Sequence, residues 1–146
     1  MTTENLTLIY TILCDDVRLE VGNKLSLMGI FQNMMVERAP VSLIKLSVVQ
    51  HWRGAGTHLA EVRIMSPDKT QIMMASQPTQ VTLGEGGFAD NVSFFVNAFF
   101  PEAGTYWVQT LVNSNLFDEF SLVISEANAP PSKAKDGDEE FPDIVQ

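Results

Sequence analysis

The chain has 146 residues, of which 45% are hydrophobic and 18% charged, so it is long enough for one folded domain and too apolar for a disordered or collagen-like chain. Its 18 acidic and 9 basic residues give a formal charge of -9, which argues against a nucleic-acid partner because acidic surfaces repel phosphate. The single cysteine excludes an internal disulfide framework and a cysteine-rich zinc site, and no apolar run approaches the ~20 residues of a membrane span.

The N-terminal segment predicts a first strand. Residues 1–5 carry no basic stretch, so no secretion signal is expected and the predicted location is cytoplasmic. An alternation of period two then begins and predicts a strand with one apolar face, made by Leu6, Leu8, Tyr10, Ile12 and Cys14.

The same alternation recurs along the chain at 44–52, 60–64, 92–98, 106–112 and 120–124. In the segment 92–98, Val92, Phe94, Val96 and Ala98 form the apolar series. Glycine, proline and asparagine clusters between the segments predict turns at 21–23, 53–56, 66–69, 84–87, 101–104 and 113–115. About eight strands without a convincing amphipathic helix predict an all-β domain over residues 1–125, a two-sheet antiparallel β-sandwich.

The C-terminal segment, residues 126–146, differs in composition. Pro130 and Pro131 end any strand, and an acidic run follows. Such a segment buries too little apolar surface to offset its ordering entropy, so we predict a disordered acidic tail. Its apolar tip, Phe141, Ile144 and Val145, is a candidate partner-binding anchor, with a purely solubilising tail as the alternative.

Two stretches resemble known sequences. Residues 13–20, LCDDVRLE, and 22–31, GNKLSLMGIF, resemble the N-terminal motif of a family of small uncharacterised bacterial β-sandwich proteins. The pattern Gly104-Thr105-Tyr106 at the start of a late strand is similar to that of immunoglobulin-like sandwiches. The resemblance covers residues 6–125 and implies an immunoglobulin-like fold. It implies no activity and no site residues.

The carboxylates that follow the first predicted strand are a candidate metal site. Asp15, Asp16 and Glu20 lie close in sequence, and calcium requires six to eight oxygen ligands. The alternative is that they cap a turn and pair with Arg18. We expect this alternative because no calcium-loop motif is present.

Cys14 is a candidate nucleophile, with His51 or His58 as its base. Its place on the apolar face of the first strand instead favours a small buried hydrophobic residue. Because of this alternative, an enzyme that uses Cys14 or Asp15 ranks third among the functional hypotheses.

Aromatic residues that fall off the apolar alternation suggest a contact surface. If Phe95, Phe99 and Trp107 face outward, they expose more apolar surface than a monomer usually does, and a protein partner or a homodimer would cover them. The alternative is that bulges turn these rings into the core.

The leading prediction is a non-enzymatic protein-interaction or accessory module without a cofactor. No set of residues supplies a nucleophile, a base and a group that orients the base. The alternative is a ligand-binding sandwich that holds calcium or carbohydrate through loop carboxylates and aromatic rings.

Overall fold

The computed structural model describes residues 5–127 and the backbone of residues 2–3. These residues form ten strands and no helix, so the protein is all-β, and nothing helical among them is long and apolar enough to cross a membrane. The strands are β1 Thr2–Thr3, β2 Leu6–Cys14, β3 Asp16–Glu20, β4 Lys24–Met28, β5 Met34–Val36, β6 Val41–Met65, β7 Ile72–Ala75, β8 Thr79–Phe100, β9 Gly104–Val112 and β10 Asn115–Glu126.

One curled sheet contains every strand except β3 and β4, which pair as a separate hairpin. The 25-residue strand β6 organises this sheet. Its first part, 41–54, pairs with β2 on one side and with residues 87–100 of β8 on the other. We call these strands the first arm. Its second part, 56–65, pairs with residues 79–83 of β8 and with β7 and β9, and β10 and β5 follow; these strands form the second arm.

The glycine clusters at 53–56 and 84–87, predicted as turns, lie inside β6 and β8 instead. The two strands stay paired through this region, with a register shift between Gly54 and Gly56. Gly54 has a φ of 140°, and a Cβ atom there would overlap the backbone carbonyl of Asn5. The glycines therefore bend the sheet from one arm to the other and do not reverse the chain.

The core consists of two apolar clusters. The larger lies between the arms, where Leu46 and Val48 of β6 pack with Val108 of β9 and Leu122 of β10. The smaller surrounds Trp52. The all-β prediction is confirmed, but hydrogen bonding does not divide the molecule into the two separate sheets of the predicted sandwich.

The predicted alternation is wrong in β2 and β8 and at Ile44, the first residue of the predicted apolar series in β6, which is exposed. In β2 a bulge between Leu8 and Tyr10 turns Tyr10 outward. In β8 the polar residues Asn91 and Ser93 face the interior, and Phe94 and Val96 face outward, opposite to the predicted series. Sequence alternation does not show where a bulge changes the face that a strand buries.

The predicted hairpin turns at 21–23 and 113–115 are confirmed. Gly22 and Asn23 join β3 to β4 with φ angles of 88° and 59°. Asn113 and Ser114 join β9 to β10 with φ angles of 51° and 71°. Two consecutive positive φ angles match the twist of a tight hairpin, and glycine and asparagine adopt them at low cost.

Tyr106, near the start of β9, closes the connection from β8. Its hydroxyl donates a 2.7 Å hydrogen bond to the backbone oxygen of Glu102, four residues earlier, and its ring is fully buried. Phe100 contacts it edge to face, with the ring centroids 5.0 Å apart. The hydrogen bond and the ring contact together hold the connection between β8 and β9 in place.

Candidate interaction surface

The three aromatic residues predicted to face outward have different positions. Phe95 is only 6% exposed and belongs to the larger core cluster, so its predicted role in partner binding is wrong. The cause is the reversed face of β8, which turns Phe95 inward. Phe99 is 49% exposed. Trp107 is half-buried, and its Nε1 donates to the Pro67 oxygen at 3.2 Å.

Trp107 is covered by polar contacts within the chain. Lys69 Nζ lies 4.2 Å from the centroid of its indole ring and donates to Glu119 Oε1 at 2.8 Å. Glu119 also accepts a hydrogen bond from Gln109, which in turn accepts one from Arg63. The hydrogen bond from Lys69, followed by that from Gln109, lowers the pKa of Glu119. The part of the second arm around Trp107 is thus covered by a polar network and is a poor docking surface for an apolar partner.

The outer face of the first arm exposes apolar residues instead. Phe94 is 47% exposed, Val96 70% and the nearby Ile44 of β6 85%. Phe88 is also exposed, further along β8. Together with Phe99, we call these residues the apolar edge.

Cations of β6 lie over two of the rings. Lys45 Nζ is 4.3 Å from the centroid of Phe94, and Arg53 is 5.9 Å from that of Phe88. Lys45 also forms an ion pair with Asp16 at 2.7 Å. Each ring is thus partly covered by a cation, while a large part of it remains exposed.

The backbone beneath the apolar edge is also open on one side. Residues 87–100 of β8 pair with β6, and within the described part of the chain no strand pairs with their other edge. This edge is about 47 Å long at the usual rise of a strand. It contains no proline and only one charged residue, Asp90. A groove of about 420 Å³ separates its Phe94–Phe99 portion from Met73 and Met74 of β7.

Asp15, Asp16 and Glu20, the candidate metal ligands, are not brought together in the structure. Asp16 is held by Lys45, whose hydrogen bond lowers the pKa of the Asp16 carboxyl, and it accepts a second hydrogen bond from the Val17 amide. Glu20 lies at the far end of β3, opposite Lys24. Among residues 5–127, no cluster of three metal-ligating side chains is found.

Cys14 does not have the environment of a nucleophile. It is fully buried, and burial, followed by the charge of Asp15, raises the pKa of its thiol. It pairs with Ser47 across the strands, whereas His51 pairs with Tyr10, about 14 Å further along the sheet. His51 Nδ1 contacts Asp90 at 2.7 Å, and His58 contacts the Ala55 oxygen at 2.9 Å. These positions contradict the hypothesis of a Cys14 nucleophile with a histidine base.

The predicted tail anchors lie outside the described residues. These are Phe141, Ile144 and Val145. Their predicted role in partner binding stays a prediction.

Comparison with known proteins identifies a family. A family model described as a family of unknown function, DUF6941, matches residues 9–125. The chain belongs to DUF6941. The predicted membership of an uncharacterised family is thereby confirmed. No curated protein matches this DUF6941 member.

Solved structures resemble the DUF6941 fold at low identity. One is the alkylpurine DNA glycosylase AlkC of Pseudomonas fluorescens bound to DNA containing an abasic site analog, with a TM-score of 0.50, 8% identity, and coverage of 84% of this chain and 31% of that chain. Another is the β-D-glucoside glucohydrolase of Trichoderma reesei, with a TM-score of 0.46, 9% identity, and coverage of 86% and 19%. The chain thus spans about a third of AlkC, and that likeness concerns the fold alone.

The residues that the sequence analysis missed in this DUF6941 chain are Ile44, Phe88, Phe94 and Val96. The signal was present in residues 87–100, which carry apolar side chains at positions of both parities and one charge. This pattern differs from the alternation of an antiparallel strand with one solvated face, so it indicates apolar residues on the outer face of β8.

Proposed function

We propose that this chain is a non-enzymatic protein-interaction module, and that it pairs with a second copy of itself along the open edge of β8. The observation that carries the proposal is the edge itself, a stretch of fourteen residues that pairs with β6 on one side only and has apolar side chains along its outer face. Long apolar edges of this kind are templates for strand pairing, and proteins that remain monomeric usually interrupt them with charges or proline.

A second copy fits this edge by symmetry. Two identical strands that pair antiparallel are related by a two-fold axis, so each residue meets its counterpart reciprocally. A register centred on Phe94 would place Phe94 beside its own copy and Val92 beside Val96. Asp90, the single charge, then lies away from its counterpart, so like charges do not oppose pairing.

The net charge predicts how the association responds to salt. Two chains of formal charge -9 repel each other at long range, whereas the proposed contact is apolar. Salt screens the repulsion and leaves the apolar contact intact, so association should strengthen as ionic strength rises. An association through ion pairs would weaken.

The finer description of the fold is part of the same proposal. The buried Tyr106 with its hydrogen bond to Glu102 resembles the tyrosine corner of immunoglobulin-like sandwiches. The two arms facing each other across the larger core cluster support the same description. A cytoplasmic location, in which the free Cys14 stays reduced, completes the proposal.

Sedimentation equilibrium of the full chain tests the association. We expect a reversible dimer for the wild type and a monomer for Val96→Glu, because the substitution replaces the apolar contact with Val92 of the second copy and charged residues on an edge strand oppose pairing. Val21→Glu, at an exposed residue in the β3–β4 turn, is the matched control and should dimerise like the wild type. A wild-type chain that stays monomeric at all concentrations and salt levels would overturn the proposal, as would equal dimerisation of Val96→Glu.

A further inference from the structure

A layer of polar side chains crosses the interior between the two core clusters. Its centre is Gln50 of β6, which is fully buried. Gln50 Nε2 donates to Thr110 Oγ1 of β9 at 2.8 Å and to Thr11 Oγ1 of β2 at 3.3 Å. Asn91 of β8, the partner of Gln50 in the strand register, is buried beside it. Apolar residues would fill this level of the core more simply, so the layer requires an explanation.

The layer is not satisfied within the described part of the chain. Gln50 Oε1, Asn91 Nδ2 and Trp52 Nε1 are buried and have no hydrogen-bond partner there. Buried polar groups without partners are rare, and they are found where a water or a ligand completes the set. The unused acceptor of Gln50 and the unused donor of Asn91 lie at the level of the sheet that contains Thr11, whereas Trp52 lies two residues further along β6, opposite Leu8.

Thr11 connects this layer to a cavity between β2 and β10. The cavity has a volume of about 490 Å³, within the usual range for small-molecule sites. The residues that line it include the polar Thr11, Asn33, Asp118 and Ser121 and the aromatic Phe31 and Phe120. Because Thr11 Oγ1 accepts the hydrogen bond from Gln50, its own proton is directed to another acceptor.

Asp118 supplies the charge of the cavity. A bulge in β10 between Leu116 and Asp118 places Asp118 opposite the buried Thr110 in the strand register. Its carboxylate has no hydrogen bond or ion pair to another described side chain, and no lysine, arginine or histidine of the described residues lines the cavity. The half-buried carboxylate therefore lacks a counter-charge.

We propose that this cavity binds a small organic cation, with an ammonium group against Asp118 and an apolar body between Phe31 and Phe120. A bound ammonium would supply the missing counter-charge and donate hydrogen bonds to the carboxylate. The aromatic rings favour a cation in the same place. Asn33 Oδ1 already accepts a hydrogen bond from the Val123 amide, which fixes the amide of Asn33 at the cavity wall.

The chemistry of the lining favours an organic cation over two other ligands. A calcium ion requires six to eight oxygens and usually several carboxylates, and this cavity has one carboxylate. A neutral sugar would leave the charge of Asp118 unpaired in a partly desolvated site.

A titration of the full chain with benzylamine, followed by NMR, tests the site. We expect saturable binding with a dissociation constant on the order of 1 mM, which suits a ligand of this size, and shifts at residues 31–33 and 118–121. Benzyl alcohol, the uncharged analogue, should bind at least about tenfold more weakly, since a paired charge contributes at least one factor of ten.

Two variants connect the binding to the proposed residues. Asp118→Asn should weaken benzylamine binding about tenfold or more and leave benzyl alcohol unaffected, whereas Glu85→Gln, an exposed change in β8, should change neither. Phe120→Leu should reduce the affinity for both ligands without reversing their order. Unfolding curves confirm that each variant is folded. The proposal is overturned if benzylamine shows no saturable binding, or binds Asp118→Asn as it binds the wild type.

This inference is independent of self-association. The cavity lies at the β2 and β10 side of the molecule, away from β8. Val96→Glu should therefore abolish the dimer and retain benzylamine binding, so a failure of one proposal is distinguishable from a failure of the other.

Discussion

Gln50 and Thr110 join the two arms of the sheet across the interior. Their side chains form a 2.8 Å hydrogen bond between β6 and β9, sixty positions apart in sequence, at a level of the core where both residues are buried. No backbone ladder connects the first part of β6 to β9, so this side-chain contact specifies how the arms face each other.

Replacement of Gln50 by leucine should destabilise the protein by about 1–3 kcal/mol, because Thr110 and Thr11 lose a buried donor. The double variant Gln50→Leu/Thr110→Val removes both partners, and it should be more stable than the sum of the two single changes predicts. Urea unfolding of the wild type, the two single variants and the double variant gives their free energies of unfolding, which are compared at a constant m-value. Additive effects of the two substitutions would contradict the coupling.

Replacement of Tyr106 by phenylalanine should reduce the free energy of unfolding by about 1–2 kcal/mol, because the Glu102 oxygen loses its 2.7 Å hydrogen bond. Tyr10→Phe is the matched control, since the Tyr10 side chain is exposed, and it should change the stability by less than about 0.5 kcal/mol. Thermal and urea unfolding of both variants give the comparison. Equal stability of the two would show that the Tyr106 hydroxyl does not stabilise the corner.

Replacement of Gly54 by alanine should destabilise the protein by about 2 kcal/mol or more, because φ is 140° and the added methyl meets the backbone of Asn5. Gly84→Ala is the control, because that position has open space around the added atom. The difference in denaturation midpoint between the two variants is the measurement. A Gly54→Ala protein as stable as Gly84→Ala would contradict the close approach of residues 5 and 54.

Stability should fall as the pH drops below about 4. In the folded state, hydrogen bonds from Thr70 and then Ser66 lower the pKa of Asp68. Hydrogen bonds from lysine side chains likewise lower the pKa values of Glu119 and Asp16. A group whose pKa is lower in the folded state contributes stability above its unfolded pKa, and this contribution is lost as the pH falls through the folded value.

Asp68→Asn tests this pH dependence. It should lower the stability at pH 7 and flatten the decline between neutral pH and pH 3, as followed by urea unfolding at a series of pH values. Glu85→Gln should leave the decline unchanged, because the described residues offer Glu85 no ion pair. An identical decline for Asp68→Asn and the wild type would show that Asp68 does not contribute to it.

The sequence predicted the class of fold and most strand positions, since alternation and turn residues are local properties. It predicted the wrong face for β8, because the change of face at Asn97, which has a φ of 55°, depends on how the whole sheet curls. For the same reason, the sequence does not predict the polar layer around Gln50. Gln50 lies between Val48 and Trp52 at a position of the apolar alternation. Its partners Thr11 and Thr110 come from two other strands, and only the tertiary structure defines which strands are neighbours.

The length of β6 has a consequence for the order in which the chain acquires its structure. When residues 41–65 leave the ribosome, only β2 is already available as a pairing partner, and β8 and β9 follow up to residue 112. Most of this apolar strand therefore waits unpaired during synthesis. Pairing between residues so distant in sequence makes folding slow, and it leaves the apolar side chains of β6 exposed until β9 is complete.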